Sequence, residues 1–132
     1  MILIITGGGD YADVNKVFQT LDALHERTPA NHVFMGDATG ADALAERWCR
    51  ANEVDFTVMP AKWSKYGKAA GPHRNAQLIE SIEITMDKGT EAPFYAVAFR
   101  GGRGTADMVR RCLRAGIEVI YPDRTEESDE DV

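Results

Sequence analysis

Only two cysteines, Cys49 and Cys112, occur in 132 residues. Each lies within an apolar helical pattern, so a disulfide framework or a zinc cluster is excluded and both are expected to be small core side chains. Long hydrophobic runs are missing too. Residues 1–5 and 94–99 are the longest unbroken stretches, far short of the roughly 20 apolar residues of a membrane span, and the first is too short for a signal peptide. A cytoplasmic protein with no membrane partner is expected. Nor is there a surplus of positive charge: 15 Lys and Arg stand against 21 Asp and Glu, a formal charge of -6. Residues 123–132 hold six of those acids and one base, which leaves 14 bases and 15 acids in residues 1–122. That balance argues against duplex DNA as a partner, because phosphate-dominated binding needs a cationic surplus, but leaves a small anion open. His25 and His32 have no neighbouring metal-ligand candidates, so neither a metal nor a cofactor is called for.

What is present reads as one domain over residues 1–122 followed by an acidic tail, 123–132. The tail has almost nothing apolar to bury and is expected to be disordered and solubilising. Residues 1–6 form a continuous apolar, β-branched run stopped by Gly7, Gly8 and Gly9, and 94–99 form another; both fit strands covered on two faces. Val14, Val17, Phe18, Leu21 and Leu24 share one face of a helix capped by Asp13 and ended before Pro29. Residues 32–35 make a second strand, and Leu44, Ala45, Trp48 and Ala51 stripe a second helix. Residues 54–59 alternate as an edge strand with one wet face. A loop over 60–71 then leads to Pro72 as the first residue of a helix that turns Ala76, Ile79, Ile82 and Met86 inward and stops at Gly89. Met108, Val109, Cys112 and Leu113 stripe a helix ended by Gly116, before a closing edge strand at 117–121.

Strand and helix therefore alternate throughout. The expected fold is α/β, a Rossmann-like three-layer sandwich with a five-stranded parallel sheet in the order 3-2-1-4-5. In such a sheet ligands bind beyond the carboxyl ends of the strands, at the switch point between strands 1 and 4. Glycine-rich loops follow both of those strands. In the second, Arg100, Gly101, Gly102, Arg103, Gly104 and Thr105 lead straight into a helix; close backbone amides, a positive helix end and two arginines suit a phosphate. Arg110, Arg111 and Arg114, toward the other end of that helix, read as a solvated face.

In the first loop, Gly7, Gly8, Gly9 and Asp10 do not match the GxGxxG dinucleotide fingerprint. Asp10 either accepts from a sugar or base or caps the following helix. Loop 36–42, with Gly36 and Gly40, crowds the same rim; Thr39 and Asp42 have capping-box spacing, so that loop either binds or only caps. Residues 60–75 carry four Lys or Arg, one His, two aromatics and no acid. Lys65 and Lys68 read as wet surface. His73 and Arg74 in a helix's first turn oppose its dipole unless an anion lies nearby, and Trp63 and Tyr66 either stack on a base or anchor the loop.

Thr-Gly-Gly-Gly-Asp-Tyr at 6–11, Gly-Ala-Asp at 40–42, Pro-Ala-Lys-Trp at 60–63, Ala-Gly-Pro-His-Arg-Asn at 70–75 and Phe-Arg-Gly-Gly-Arg-Gly-Thr-Ala-Asp-Met at 99–108 together resemble the YspA-related branch of the SLOG superfamily. Relatives there include the LOG phosphoribohydrolases and the DNA-processing protein DprA. The resemblance implies a nucleotide-derived ligand held by Gly7, Gly8, Gly9, Asp10, Gly40, Asp42, Trp63, His73, Arg74, Asn75, Arg100, Gly101, Gly102, Arg103, Gly104 and Thr105. LOG enzymes carry Pro-Gly-Gly-x-Gly-Thr-x-x-Glu, and in this chain Arg100 stands at the Pro position and Met108 at the Glu position. Methionine cannot stabilise a ribosyl cation, so LOG chemistry does not transfer intact; Asp10, Asp42 and Asp107 are the candidate replacement acids. The leading expectation is a domain that senses or sequesters a phosphorylated nucleoside derivative. The alternatives are an N-glycosidic hydrolase acting on a nucleotide and a single-stranded DNA binder using residues 62–74. The LOG resemblance also implies a homodimer.

Overall fold

The structure, a computed structural model, describes residues 1–37 and 39–124. The expected tail beyond Arg124 lies outside the described residues. The elements are β1 (Ile2–Thr6), α1 (Val14–Arg27), β2 (His32–Met35), α2 (Gly40–Ala51), β3 (Phe56–Val58), α3 (Trp63–Tyr66), a 3-10 turn (Gly67–Ala69), α4 (Ala70–Asp87), β4 (Phe94–Ala98), α5 (Arg103–Arg114) and β5 (Glu118–Ile120). All strand pairs are parallel and the sheet runs β3-β2-β1-β4-β5, the order the sequence implies. Ile2 stands level with His32 on one side and Phe94 on the other.

Alternation along β1 builds the three layers, since successive side chains leave opposite faces. Leu3 and Ile5 pack with Val17 and Leu21 of α1 and Leu44 and Trp48 of α2. Ile4 packs with Leu78, Ile79 and Ile82 of α4 and Met108 and Cys112 of α5. Buried on both faces, β1 has no use for a polar residue until Thr6. Trp48 is fully buried with its indole N–H donated to Asp22 at 2.8 Å, so its polar edge is satisfied while its area goes to the core.

Local chemistry explains the boundaries and the departures from expectation. Asp13 caps α1 by accepting the Lys16 N–H at 3.0 Å. Residues 63–69, expected as loop, form a helical turn and a 3-10 turn, and α4 begins at Ala70, which makes Pro72 its third residue rather than its first. Proline is tolerated there because the first N–H groups of a helix have no intrahelical acceptor. The inward face of α4 also differs from expectation: Asn75, Leu78, Ile79 and Ile82 are buried while Ala76 is exposed. On α2 the buried set includes Cys49 instead of Ala51. Leu113 of α5 is 56% exposed rather than inward. Met59, which by alternation shares a side of the expected third strand with Asp55 and Thr57, packs against the α4–α5 layer.

Candidate functional site

The loops leaving β1, β2 and β4 press together because their glycines carry no side chain. A Cβ on Gly7 would lie 2.6 Å from that of Ala41, and one on Gly101 would lie 2.7 Å from the Gly8 nitrogen. Gly40 has φ +53° and sits where any Cβ would overlap the Gly8 carbonyl oxygen. Backbone hydrogen bonds join the three loops: Gly8 N–H donates to the Arg100 carbonyl at 3.0 Å, and Ala41 N–H to the Gly8 carbonyl at 3.2 Å.

They enclose a cleft of about 190 Å³ lined by Gly7, Gly8, Gly9, Asp42, Trp63, Arg74, Gly102, Gly104 and Thr105. Thr6, Asp37, Thr39 and Gly71, absent from the set the resemblance implies, complete the wall. For Asp37 a signal exists: it follows β2, a strand beside the switch point, by two residues. Where α5 starts, its first-turn amides lack intrahelical acceptors and add the positive end of the helix dipole.

Arg74 reaches the cleft from α4, its guanidinium pressed against Gly36, where a Cβ would overlap it. Its Nε donates to Asn75 Oδ1 at 2.8 Å, and one terminal nitrogen donates to the Met59 carbonyl at 3.2 Å and to Asp37 Oδ1 at 3.3 Å. With only 13% of the side chain exposed, the cation is held in one orientation, so little freedom remains to be lost on meeting an anion.

Asp42 does not form the capping box its spacing allows. Thr39 precedes α2 without a side-chain cap bond, and Asp42 Oδ2 accepts instead from the backbone N–H groups of Gly36 at 3.2 Å and Asp37 at 2.9 Å. Asp42 thereby ties the exit of β2 to the first turn of α2. The residue is 8% exposed, and its Oδ1 is buried with no hydrogen-bond partner among the described residues. Burial outweighs the two amide bonds and the nearby Arg74 and pushes the carboxyl up to about 7. This acid changes protonation near neutrality, the property a proton-transfer group needs.

The remaining implied residues are placed elsewhere. Asn75 is 2% exposed, and its amide donates to the Gly104 carbonyl at 3.3 Å and Asp107 Oδ2 at 3.0 Å; it braces the second glycine loop from α4. Asp107 is engaged by Asn75, by Arg111 at 2.9 Å and by Arg110 at 3.7 Å. Burial alone would raise its carboxyl, but those hydrogen bonds and charges bring it below the ordinary value. Arg111, expected on a solvated face, is half-buried on Asp107, whereas Arg114 is exposed. His73 stacks on Tyr66 with ring centroids 4.1 Å apart, so that aromatic anchors its loop while Trp63 stays 56% exposed. Asp10 and Arg100 lie on the other flank of the first loop, with Arg100 over the Tyr11 ring. Arg103 is exposed at the start of α5. Asp123, assigned by charge to the tail, accepts from the Tyr11 hydroxyl at 2.9 Å and the Arg100 N–H at 2.8 Å, which makes it part of the folded domain.

Among the described residues no helix is long and apolar enough to cross a membrane, and no cluster of three His, Cys, Asp or Glu is placed to hold a metal.

A parallel sheet in the order β3-β2-β1-β4-β5 with glycine loops closing a cleft at its switch point defines a Rossmann-like α/β domain. The chain belongs to the YspA, cpYpsA-related SLOG family, YAcAr, whose model matches residues 1–66. The Gene 61 protein of Mycobacterium phage D29 is 33% identical over 126 residues, an alignment covering 89% of this chain and 93% of that protein. A crystal structure of a predicted subunit of tRNA methyltransferase from Methanocaldococcus jannaschii is more distant. It is 13% identical, covers 99% of this chain and 73% of its own, and superposes with a TM-score of 0.39.

Proposed function

We propose that this protein binds a phosphorylated nucleoside derivative in the cleft between the β1, β2 and β4 loops, as a sensing or sequestering domain. The observation that carries this reading is the convergence, in one cleft, of free first-turn amides of α5, three close-packed glycine loops and the fixed Arg74 cation. Such a surface offers an anion backbone donors, a helix dipole and a countercharge without any rearrangement. Trp63 at the same cleft offers a face for a base. Calorimetric titration of the full chain with nucleoside mono- and diphosphates tests it. Saturable binding weakened at least tenfold in Arg74→Ala is expected, and no heat from any phosphate compound at millimolar concentration refutes the reading.

The position of Asp42 favours a second reading, N-glycosidic hydrolysis. Of the three candidate acids it alone lines the cleft, and burial pushes its carboxyl up to about 7, so it can hold a proton for a departing base and accept one from the attacking water. Chromatography of nucleotides incubated with the protein decides: free base formed by the native chain and lost in Asp42→Asn supports hydrolysis, and ligand recovered intact leaves binding alone.

A further inference from the structure

We propose a second small-molecule site, separate from the cleft: a pocket between α5 and the chain leaving β5 that takes a flat aromatic ring carrying a carboxylate. It goes beyond the nucleotide reading and does not depend on it.

The pocket measures about 490 Å³, within the ~300–1,000 Å³ of sites that enclose a whole small ligand, where the cleft has about 190 Å³. Helical periodicity places it. Met108 and Cys112 of α5 face the core, and Asp107 and Arg111 are engaged with each other and with Asn75 of α4. Thr105, Ala106, Val109 and Arg110, one and four residues apart, share another flank and line the pocket. Phe99, just past β4, and Tyr121, just past β5, complete a largely apolar wall.

Charge sets the sign of the ligand. Arg100, Arg110 and Arg124 line the pocket against one acid, Asp123. Both oxygens of Asp123 already accept, from the Tyr11 hydroxyl and the Arg100 N–H. Arg110 stands 3.7 Å from Asp107, which Arg111 holds more closely at 2.9 Å, and its side chain is 59% exposed. Among the described residues no carboxylate forms an ion pair with Arg100 or Arg124. Cations therefore outnumber the acids that neutralise them, beside apolar walls that strengthen any countercharge.

Shape sets the rest. The Arg124 guanidinium lies 3.7 Å from the centre of the Tyr121 ring. Stacking uses the flat face of a guanidinium and leaves its in-plane N–H donors for a planar acceptor, which the two oxygens of a carboxylate match. An aromatic ring fills the apolar part and continues the stack. A doubly charged phosphate would lose more hydration against these walls than a singly charged carboxylate. Arg110 also lies seven residues into α5 from Arg103, about 10 Å along the axis, which sets this charge apart from the helix's first turn.

The test is proton–nitrogen correlation NMR of the full chain titrated with naphthalene-2-carboxylate and with naphthalene-2-carboxamide, its uncharged match. The acid is expected to shift the amides of residues 98–110 and 121–124 saturably, and the carboxamide to bind about tenfold or more weakly. Val109→Trp, which fills the pocket, is expected to abolish the shifts, and Arg110→Ala to weaken binding about fivefold or more. No saturable shift from the acid at millimolar concentration overturns the proposal. So do shifts centred on residues 36–42 and 71–75 of the cleft, equal binding of acid and carboxamide, or binding unchanged in Val109→Trp. The comparison of acid with carboxamide uses the native chain, so its answer does not depend on how the variants fold.

Discussion

Asp42→Asn should make the protein more stable above neutrality and less stable in acid. The folded state holds the Asp42 carboxyl at about 7 against an ordinary 3.8, chiefly through burial. Between those values the native chain keeps a proton that the unfolded chain has released, so stability falls as pH rises from about 4 to 7 and then levels off. The gap corresponds to about 4 kcal/mol, from ~1.4 kcal/mol per pKa unit. Asparagine cannot ionise and removes that loss. Its oxygen still accepts from Gly36 and Asp37 in the place of Oδ2, but its NH2 group falls where the unpartnered Oδ1 now lies. An unsatisfied buried donor costs about 1–3 kcal/mol. The net expectation is a gain of about 1–3 kcal/mol at pH 8, a rise in thermal midpoint of roughly 3–10 °C for a chain of this size. Near pH 4 the sign reverses, since only the unsatisfied amide remains. Urea unfolding of both proteins at unit steps from pH 4 to 9 measures the difference directly, and the other titrating groups cancel in the subtraction. A difference that is flat with pH, or that grows in favour of the native chain as pH rises, refutes the argument.

Glycine substitutions should divide sharply. Gly40→Ala meets both a positive φ and the backbone of Gly8 and Gly9 and should cost about 2–4 kcal/mol. Gly104→Ala lies inside α5 with nothing within 4 Å of its Cβ and should stabilise by about 0.5–1 kcal/mol; urea midpoints of the two give the contrast. Asn75→Ala strips a donor from the Gly104 carbonyl and from Asp107. A loss of about 1–3 kcal/mol is expected, together with faster amide hydrogen exchange in residues 101–105. Burial holds the thiols of Cys49 and Cys112 up to about 12 and about 11, so a thiol reagent at pH 8 should label neither in the folded protein and both in urea.

Much of the fold was written in periodicity. The two unbroken apolar runs, residues 1–6 and 94–99, mark the doubly covered strands, and from their central place the β3-β2-β1-β4-β5 order follows with its switch point. The glycine clusters marked which loops would meet there. Helix faces were less legible where apolar residues outnumber the positions the sheet covers: Ala76 of α4 points outward while Asn75, one residue and about 100° away, is buried.

The candidate site divides along the same line. Backbone requirements are local: a turn that tolerates only glycine, or a helix that begins beside one, leaves its mark in the order of residues, and so the three loops could be found from the sequence alone. Side-chain roles are not local. Asp42 has the spacing of a cap, yet the exit of β2 captures it; Asp107 follows a glycine loop, yet Asn75 and two arginines occupy it; Asn75 sits in a basic motif, yet braces a loop 29 residues away. Which carboxylate is left buried and unpaired depends on which groups the packed helices bring within 3 Å. Sequence determined the scaffold and the place of the cleft; only the tertiary structure decided that, of the candidate acids, Asp42 lines it, beside an Asp37 already paired with Arg74.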